Sequence, residues 1–218
     1  MAIGKKRASR QIFKMKRLLS ISDLEQGAEV LCGIEPRFGH VLQQHGLPSL
    51  RVSPQGLEGL LIIITEQFLS LTAAATIWAR LKSRLGSCAI ETVLECSQAE
   101  LVTLGLSNTK AKAFHAAACA DLNFNGFDEA AIAKKLCAIH GVGPWTADIY
   151  LLSVLGAADA WPVGDLALRI SIQDFLKLEQ RPEFGHMTAL AESWQPWRAV
   201  AARLLWSHYR GLKRLPQA

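Results

Sequence analysis

Residues 138–169, "AIHGVGPWTADIYLLSVLGAADAWPVGDLALR", carry the reading that decides the fold. A helix ends ahead of this stretch, Gly141-Val142-Gly143 turns the chain, and Pro144 opens a second helix. Proline suits that first position because its missing N–H has no intrahelical partner there. Two glycines allow positive φ and a close approach to another molecule, and the new helix presents free N–H groups at its positive end. Such a turn suits a phosphate, although a G-x-G string alone is more often a plain helix-to-helix connection. Twenty residues beyond Trp145, Asp165 stands before the apolar run that starts at Leu166, which is the pattern of a helix N-cap.

Helical spacing continues on both sides. Ser53-Pro54 opens a run to about residue 70, in which "LIII" at 61–64 reads as buried helix rather than strand. Residues 71–85 are Ala-rich and stop at Gly86, and "SQAE" at 97–100 reads as a capping box. Further helices are expected over 107–122, 128–139, 144–156 and 165–178. Pro196 opens the last, in which Trp197, Val200, Ala201, Leu204, Leu205 and His208 repeat at helical spacing. No run alternates as a strand, so the expectation is an all-α chain of about ten short helices.

With 218 residues and 50% hydrophobic content, the chain can bury a real core. Its apolar runs fall well short of the roughly 18–20 residues that span a bilayer, and the basic start has no apolar core of signal-peptide length. The expected location is cytoplasmic and DNA-associated, with no membrane partner. Cys32, Cys88, Cys96, Cys119 and Cys137 are odd in number and widely spaced, as reduced thiols would be. The formal charge of +5 misleads, because residues 1–17 hold seven of the 24 basic residues and no acid; the rest carries 17 basic against 19 acidic. A basic tail can hold a polyanion through counterion release, and it can equally be a solvated end.

The string "GVGPWTADIYLL" followed by "ADAWPVGDLALR" resembles the helix-hairpin-helix DNA glycosylase superfamily, and within it the 3-methyladenine DNA glycosylase II family of base excision repair. The likeness extends to "LLIIITEQFLSLTAAATIWARL" upstream and "ESWQPWRAVAARLLW" downstream, so it covers most of residues 23–210. It implies an all-α, two-subdomain fold of the compact form, with the active cleft between the subdomains. The tail would be 1–17 and the helical region 18–218. Within that region a hairpin subdomain of about 70–160 would pack on one built from 18–69 plus 161–218.

The resemblance also implies roles. Asp165 would be the catalytic carboxylate, stabilising the positive charge that develops on the sugar as an N-glycosidic bond breaks and orienting water. Asp159, six residues earlier, is a rival. Trp145 stands where lyase-competent relatives carry a lysine, which implies a monofunctional hydrolase; its indole face, with Trp197, would line the base pocket and stack on a cationic methylated purine. Gln67 and Phe68 would fill the gap left by a flipped nucleotide. Gly141, Val142, Gly143 and Thr146 would hold phosphate, and the carbonyls of Cys137, Ile139 and Gly141 a monovalent cation. Ile149 and Leu166 replace pocket tyrosines of some relatives, and His140 a common proline. No cysteine follows Asp165, so an iron-sulfur cluster of the superfamily's type is excluded and no cofactor is required.

The expected activity is therefore release of alkylated bases from double-stranded DNA by a monomer. Two alternatives are a non-enzymatic helix-hairpin-helix module that grips DNA, and a glycosylase for other damaged bases.

Overall fold

A computed structural model describes residues 16–214, and among these the chain is all-α: twelve α-helices, one 3-10 turn and one isolated bridge between Arg17 and Ala157. Of the basic N-terminal stretch only Lys16 and Arg17 lie within the described residues. The backbone N–H of Ala158 donates to the carbonyl of Lys16 (2.9 Å), and that of Leu18 to Gly156 (2.7 Å). The start of the described chain is thereby fastened to the loop that leads toward Asp165. No helix among the described residues is long and apolar enough to cross a membrane.

The helices pack in two groups. In the first, α1 (Ile21–Ile34), α2 (Arg37–His45), α10 (Leu166–Phe175) and α12 (Arg198–Leu212) contact one another, with α11 (Phe184–Leu190) and the 3-10 turn Glu192–Trp194 at the edge. In the second, α3 (Leu57–Glu66) packs on α4 (Leu71–Leu85), α7 (Asn108–Ala118) and α9 (Pro144–Ser153). This group also holds α5 (Ile90–Glu95) and α6 (Gln98–Thr103) against α7, and α8 (Glu129–Cys137) against α9. Sequence reasoning put α3 with the first group. Its apolar surface goes to the second instead, because Leu60, Leu61, Ile63 and Ile64 are all buried and its helical neighbours are α4, α7 and α9.

Most helix ends follow the expected chemistry. Ser70, Ser107 and Asp128 cap α4, α7 and α8 through their side chains, and Gly86 ends α4 at positive φ. The 97–100 box forms only by half: Ser97 Oγ accepts from the Glu100 N–H, while the Glu100 carboxylate turns away to Arg84. A complete box occurs at α1, where Ser20 and Asp23 cap one another's backbone.

Close packing leaves no room for a side chain at the helical Gly59. A Cβ on Gly59 in α3 would lie 2.2 Å from the Pro54 carbonyl oxygen and 2.8 Å from Val154 Cγ2. Gly39 in α2 has open space, with its nearest neighbour, Cys32 Sγ, 4.0 Å away. Gly39→Ala is therefore expected to stabilise by up to about 1 kcal/mol through helix propensity, whereas Gly59→Ala loses more than that gain through overpacking of about 1–3 kcal/mol. Urea denaturation of the two variants checks the opposite signs.

Candidate active site

Between α8 and α9 the chain makes the expected turn, closed by the Val142 N–H on the Ile139 carbonyl (3.0 Å). Its two glycines act differently from expectation. Gly141 adopts φ +82°, and a Cβ there would stand 2.4 Å from that of Ala113 in α7, so this glycine sets both the turn and its seat. Gly143 is extended at φ −100° and has no atom within 4 Å of where its Cβ would be, so it leaves open space rather than special geometry. Val142 is buried and Thr146 is 2% exposed. What those two residues can offer an outside ligand is backbone, and the first turn of α9 has N–H groups without intrahelical acceptors.

The Thr146 hydroxyl faces inward because it accepts from Gln67 Nε2 (2.8 Å), which also donates to the Gly141 carbonyl (3.1 Å). Gln67 closes the C-terminus of α3 and thereby ties that helix to the hairpin. Lys110 of α7 completes the clamp: its ammonium donates to the carbonyls of Thr65 (2.9 Å) and Gln67 (2.6 Å). The next residue, Phe68, is held at φ +57° with its ring fully exposed. A bulky side chain in the left-handed region costs of order 1–3 kcal/mol and persists only where its surroundings enforce it. Here the enforcement comes from Lys110 and Gln67.

Asp165 is the N-cap of α10, as its sequence context implies, with Oδ1 accepting from the Leu168 N–H at 2.9 Å. Two indoles bind it as well. Trp145 Nε1 donates to Oδ2 (2.9 Å) and Trp206 Nε1 to Oδ1 (3.1 Å). The carboxylate is thus oriented by α9, α10 and α12 together, and it remains part-exposed. Leu166 beside it is 56% exposed, while Ile149 is buried.

Trp197 does not supply the expected pocket face. It is 3% exposed, with the Lys16 ammonium 3.5 Å over its ring and its edge close to Gly27, so one face is covered and the rest is packed. The tryptophan of this segment that reaches Asp165 is Trp206. Asp159, the rival carboxylate, forms a two-pronged ion pair with Arg198 (2.8 and 2.7 Å). Asp148 in α9 is a carboxylate that sequence reasoning passed over. Burial pushes it up to about 7, against the lowering effects of the Val163 N–H and of Arg198.

The carbonyls assigned to a monovalent cation are partly engaged, that of Ile139 by Val142 and that of Gly141 by Gln67. Each keeps a second lone pair, and neutral carbonyl oxygens suit a single positive charge. Among the described residues no group of three or more His, Cys, Asp or Glu side chains could hold a metal ion.

Residues 61–196 match the family described as HhH-GPD superfamily base excision DNA repair protein. The chain belongs to that superfamily. An alkylbase DNA glycosidase-like protein of Schizosaccharomyces pombe is 26% identical over 85% of this chain and 93% of its own length. A putative DNA-3-methyladenine glycosylase of Bacillus subtilis is 35% identical, over 34% of this chain and 26% of its own. Among solved structures, the S. pombe 3-methyladenine DNA glycosylase in complex with abasic DNA has a TM-score of 0.76 at 20% identity, covering 86% of this chain and 97% of that one. The Bacillus halodurans DNA-3-methyladenine glycosidase gives 0.71 at 22%, covering 94% and 97%. At these identities the structural likeness bears on the fold alone, and the fold is the all-α one expected from the sequence.

Two residues that matter to this superfamily site, Lys110 and Trp206, escaped sequence reasoning. The carbonyls that Lys110 holds lie 45 and 43 residues away, which no local pattern reveals. Lys110→Met leaves them without their donor, so we expect a loss of about 1–3 kcal/mol and faster amide exchange at 67–69, read by hydrogen exchange.

Asp148 makes a separate prediction about pH. Its folded pKa, at about 7, lies above the ordinary 3.8, so between about pH 4 and 7 the folded chain holds a proton that the unfolded chain has released. Its contribution to stability falls as pH rises through that window and is level above it. The stability advantage of Asp148→Asn over wild type should therefore grow from pH 4.5 to 7 and then stay constant, as followed by urea denaturation at several pH values.

Proposed function

We propose that the chain is a monofunctional DNA glycosylase that hydrolyses the N-glycosidic bond of alkylated purines in duplex DNA. The observation that carries this reading is the Asp165 carboxylate, oriented by two indole N–H groups and its own helix start, beyond a hairpin whose open side is Gly143. The similarity to proteins named as alkylbase and 3-methyladenine DNA glycosylases supports the substrate class.

The chemistry follows from what each group can do. As the bond from C1′ to the base breaks, electrons leave with the base and positive charge grows on the sugar. A carboxylate fixed in advance stabilises that charge without reorganising. Water then adds its oxygen to C1′ and loses a proton, leaving a free base and an intact abasic sugar. Asp165 is suited to orient that water and accept the proton. Phe68, exposed and apolar on a clamped loop, is suited to fill the space of the extruded nucleotide. Trp145 provides no amine, and the Lys110 ammonium is committed to two carbonyls, so neither is placed to form a Schiff base with the sugar. The backbone N–H groups of Gly143, Trp145 and Thr146 would receive a phosphate. The carbonyls of Cys137, Ile139 and Gly141 would hold a monovalent cation, which would add positive charge at the turn.

Single-turnover release of free bases from alkylated duplex DNA tests this reading. Asp165→Asn should lower the rate by about two to four orders of magnitude with DNA affinity retained. Asp159→Asn should disturb stability through Arg198 more than the rate. Borohydride should trap no covalent adduct with the wild type. Absence of any release by the wild type would favour a DNA-gripping module without catalysis, and a trapped lysine adduct would refute the monofunctional reading.

A further inference from the structure

The face of α12 that carries Trp206 also carries two arginines with incomplete partners. At 3.6 residues per turn, Arg203, Trp206, Ser207 and Arg210 fall within an arc of about 100°. Arg203 is 5% exposed. One of its terminal nitrogens reaches the Leu152 carbonyl at a marginal 3.4 Å, and its Nε is buried without any acceptor. Arg210 donates from Nη2 to Ser207 Oγ (3.0 Å), and its Nε is likewise buried and unsatisfied. Among the described residues neither has a carboxylate within ion-pair distance.

Acids in the neighbourhood are already engaged. Glu66 pairs with Arg51, and Asp174 with His208 and Lys177. Arg51 itself adds positive charge. It precedes Ser53, whose N–H binds the Ser153 carbonyl at the same end of α9 that Arg203 meets. Burial first, and the charge of Arg51 second, push Arg203 down to about 10 and lower Arg210 in the same sense. A guanidinium at that value still holds its proton at neutral pH. A buried cation with unfilled donors and no carboxylate partner is costly, and an anion is one way to complete it.

We propose that Arg51, Arg203 and Arg210 form a phosphate-binding site by the C-terminal end of α9, distinct from the hairpin turn. The guanidinium fork matches the oxygens of a phosphate, and Arg51, exposed and already turned toward Glu66, is the member free to swing onto an arriving ligand. The recognised chemistry is a tetrahedral phosphate oxyanion, whether on a DNA strand or free in solution. Oxyanion binding does not depend on base release, and its test stands apart from the glycosylase reading.

The test uses the full chain labelled with ¹⁵N, reading the arginine Nε–H signals and the melting temperature. The probes are inorganic phosphate alone and a duplex with an abasic-site analogue. Inorganic phosphate should shift the Nε–H signals of Arg203 and Arg210 and raise the wild-type melting temperature. Arg203→Met should fold, since an apolar side chain of similar volume replaces an uncompensated buried charge, and should lose that rise. Arg51→Ala, a surface change, should weaken the phosphate-induced shifts and serves as the second variant. If the ligand is a DNA phosphate, the duplex moves the same two signals, and the slope of log affinity against log salt falls by about 0.9 in Arg203→Met. Shifts with inorganic phosphate but none with the duplex would keep the site and assign it to a free oxyanion. If neither probe moves the two signals, the site is refuted.

Discussion

The arrangement depends on one carboxylate receiving three donors. Asp165 takes the N–H of Leu168 as a helix cap and the indole N–H groups of Trp145 and Trp206. Trp145 lies on α9, within the hairpin group of helices, whereas α10 and α12 belong to the other group. The hydrogen bonds at this side chain therefore cross between the two packing groups at the place where chemistry is proposed. Hydrogen bonds to a charged group contribute roughly 1.5–3 kcal/mol each, so the three at Asp165 help hold the two groups of helices together. The N-cap role and the proposed catalytic role are compatible. A cap bond to Leu168 occupies one lone pair of one oxygen, and the carboxylate stays part-exposed.

A second junction supports the first. Gln67 and Lys110 fasten the end of α3 to the hairpin and to α7 through four hydrogen bonds, three of them to backbone carbonyls. These contacts hold Phe68 in a conformation that a phenylalanine avoids when left alone. In the proposed insertion between bases, an exposed apolar ring on a fixed backbone would have side-chain freedom still to lose but little backbone freedom. Gly141 shares in this by accepting from Gln67 while sitting against Ala113, so the turn, the loop and α7 are joined by direct contacts.

The sequence made local features legible and distant pairings illegible. The bounds of α4, the caps Ser107, Asp128 and Asp165, and Pro144 at the start of α9 were all readable, because each rests on a side chain meeting backbone within a few residues. The choice between Trp197 and Trp206 was not. They are nine residues apart, which at 3.6 residues per turn sets them on about opposite sides of one helical segment, and periodicity alone does not say which side faces Asp165. The Asp159–Arg198 pair spans 39 residues, so it left Asp159 as an open rival until the fold joined them. The placing of α3 failed because its apolar character is nearly continuous and names no single face.

Charge shows how grip on a polyanion has to be organised. Once the basic stretch at 1–17 is set aside, the remainder is close to neutral, so net charge gives the body of the protein no general attraction for DNA. Binding must come from donors placed at particular points. The start of α9 offers backbone N–H groups with open space at Gly143, at no cost in buried charge. The arginines of α12 are the opposite solution: full charges, one of them 5% exposed, whose desolvation is already incurred in the free protein. A phosphate reaching them meets donors that have little water left to shed, so each hydrogen bond formed there should retain more of its strength than one made at the exposed turn.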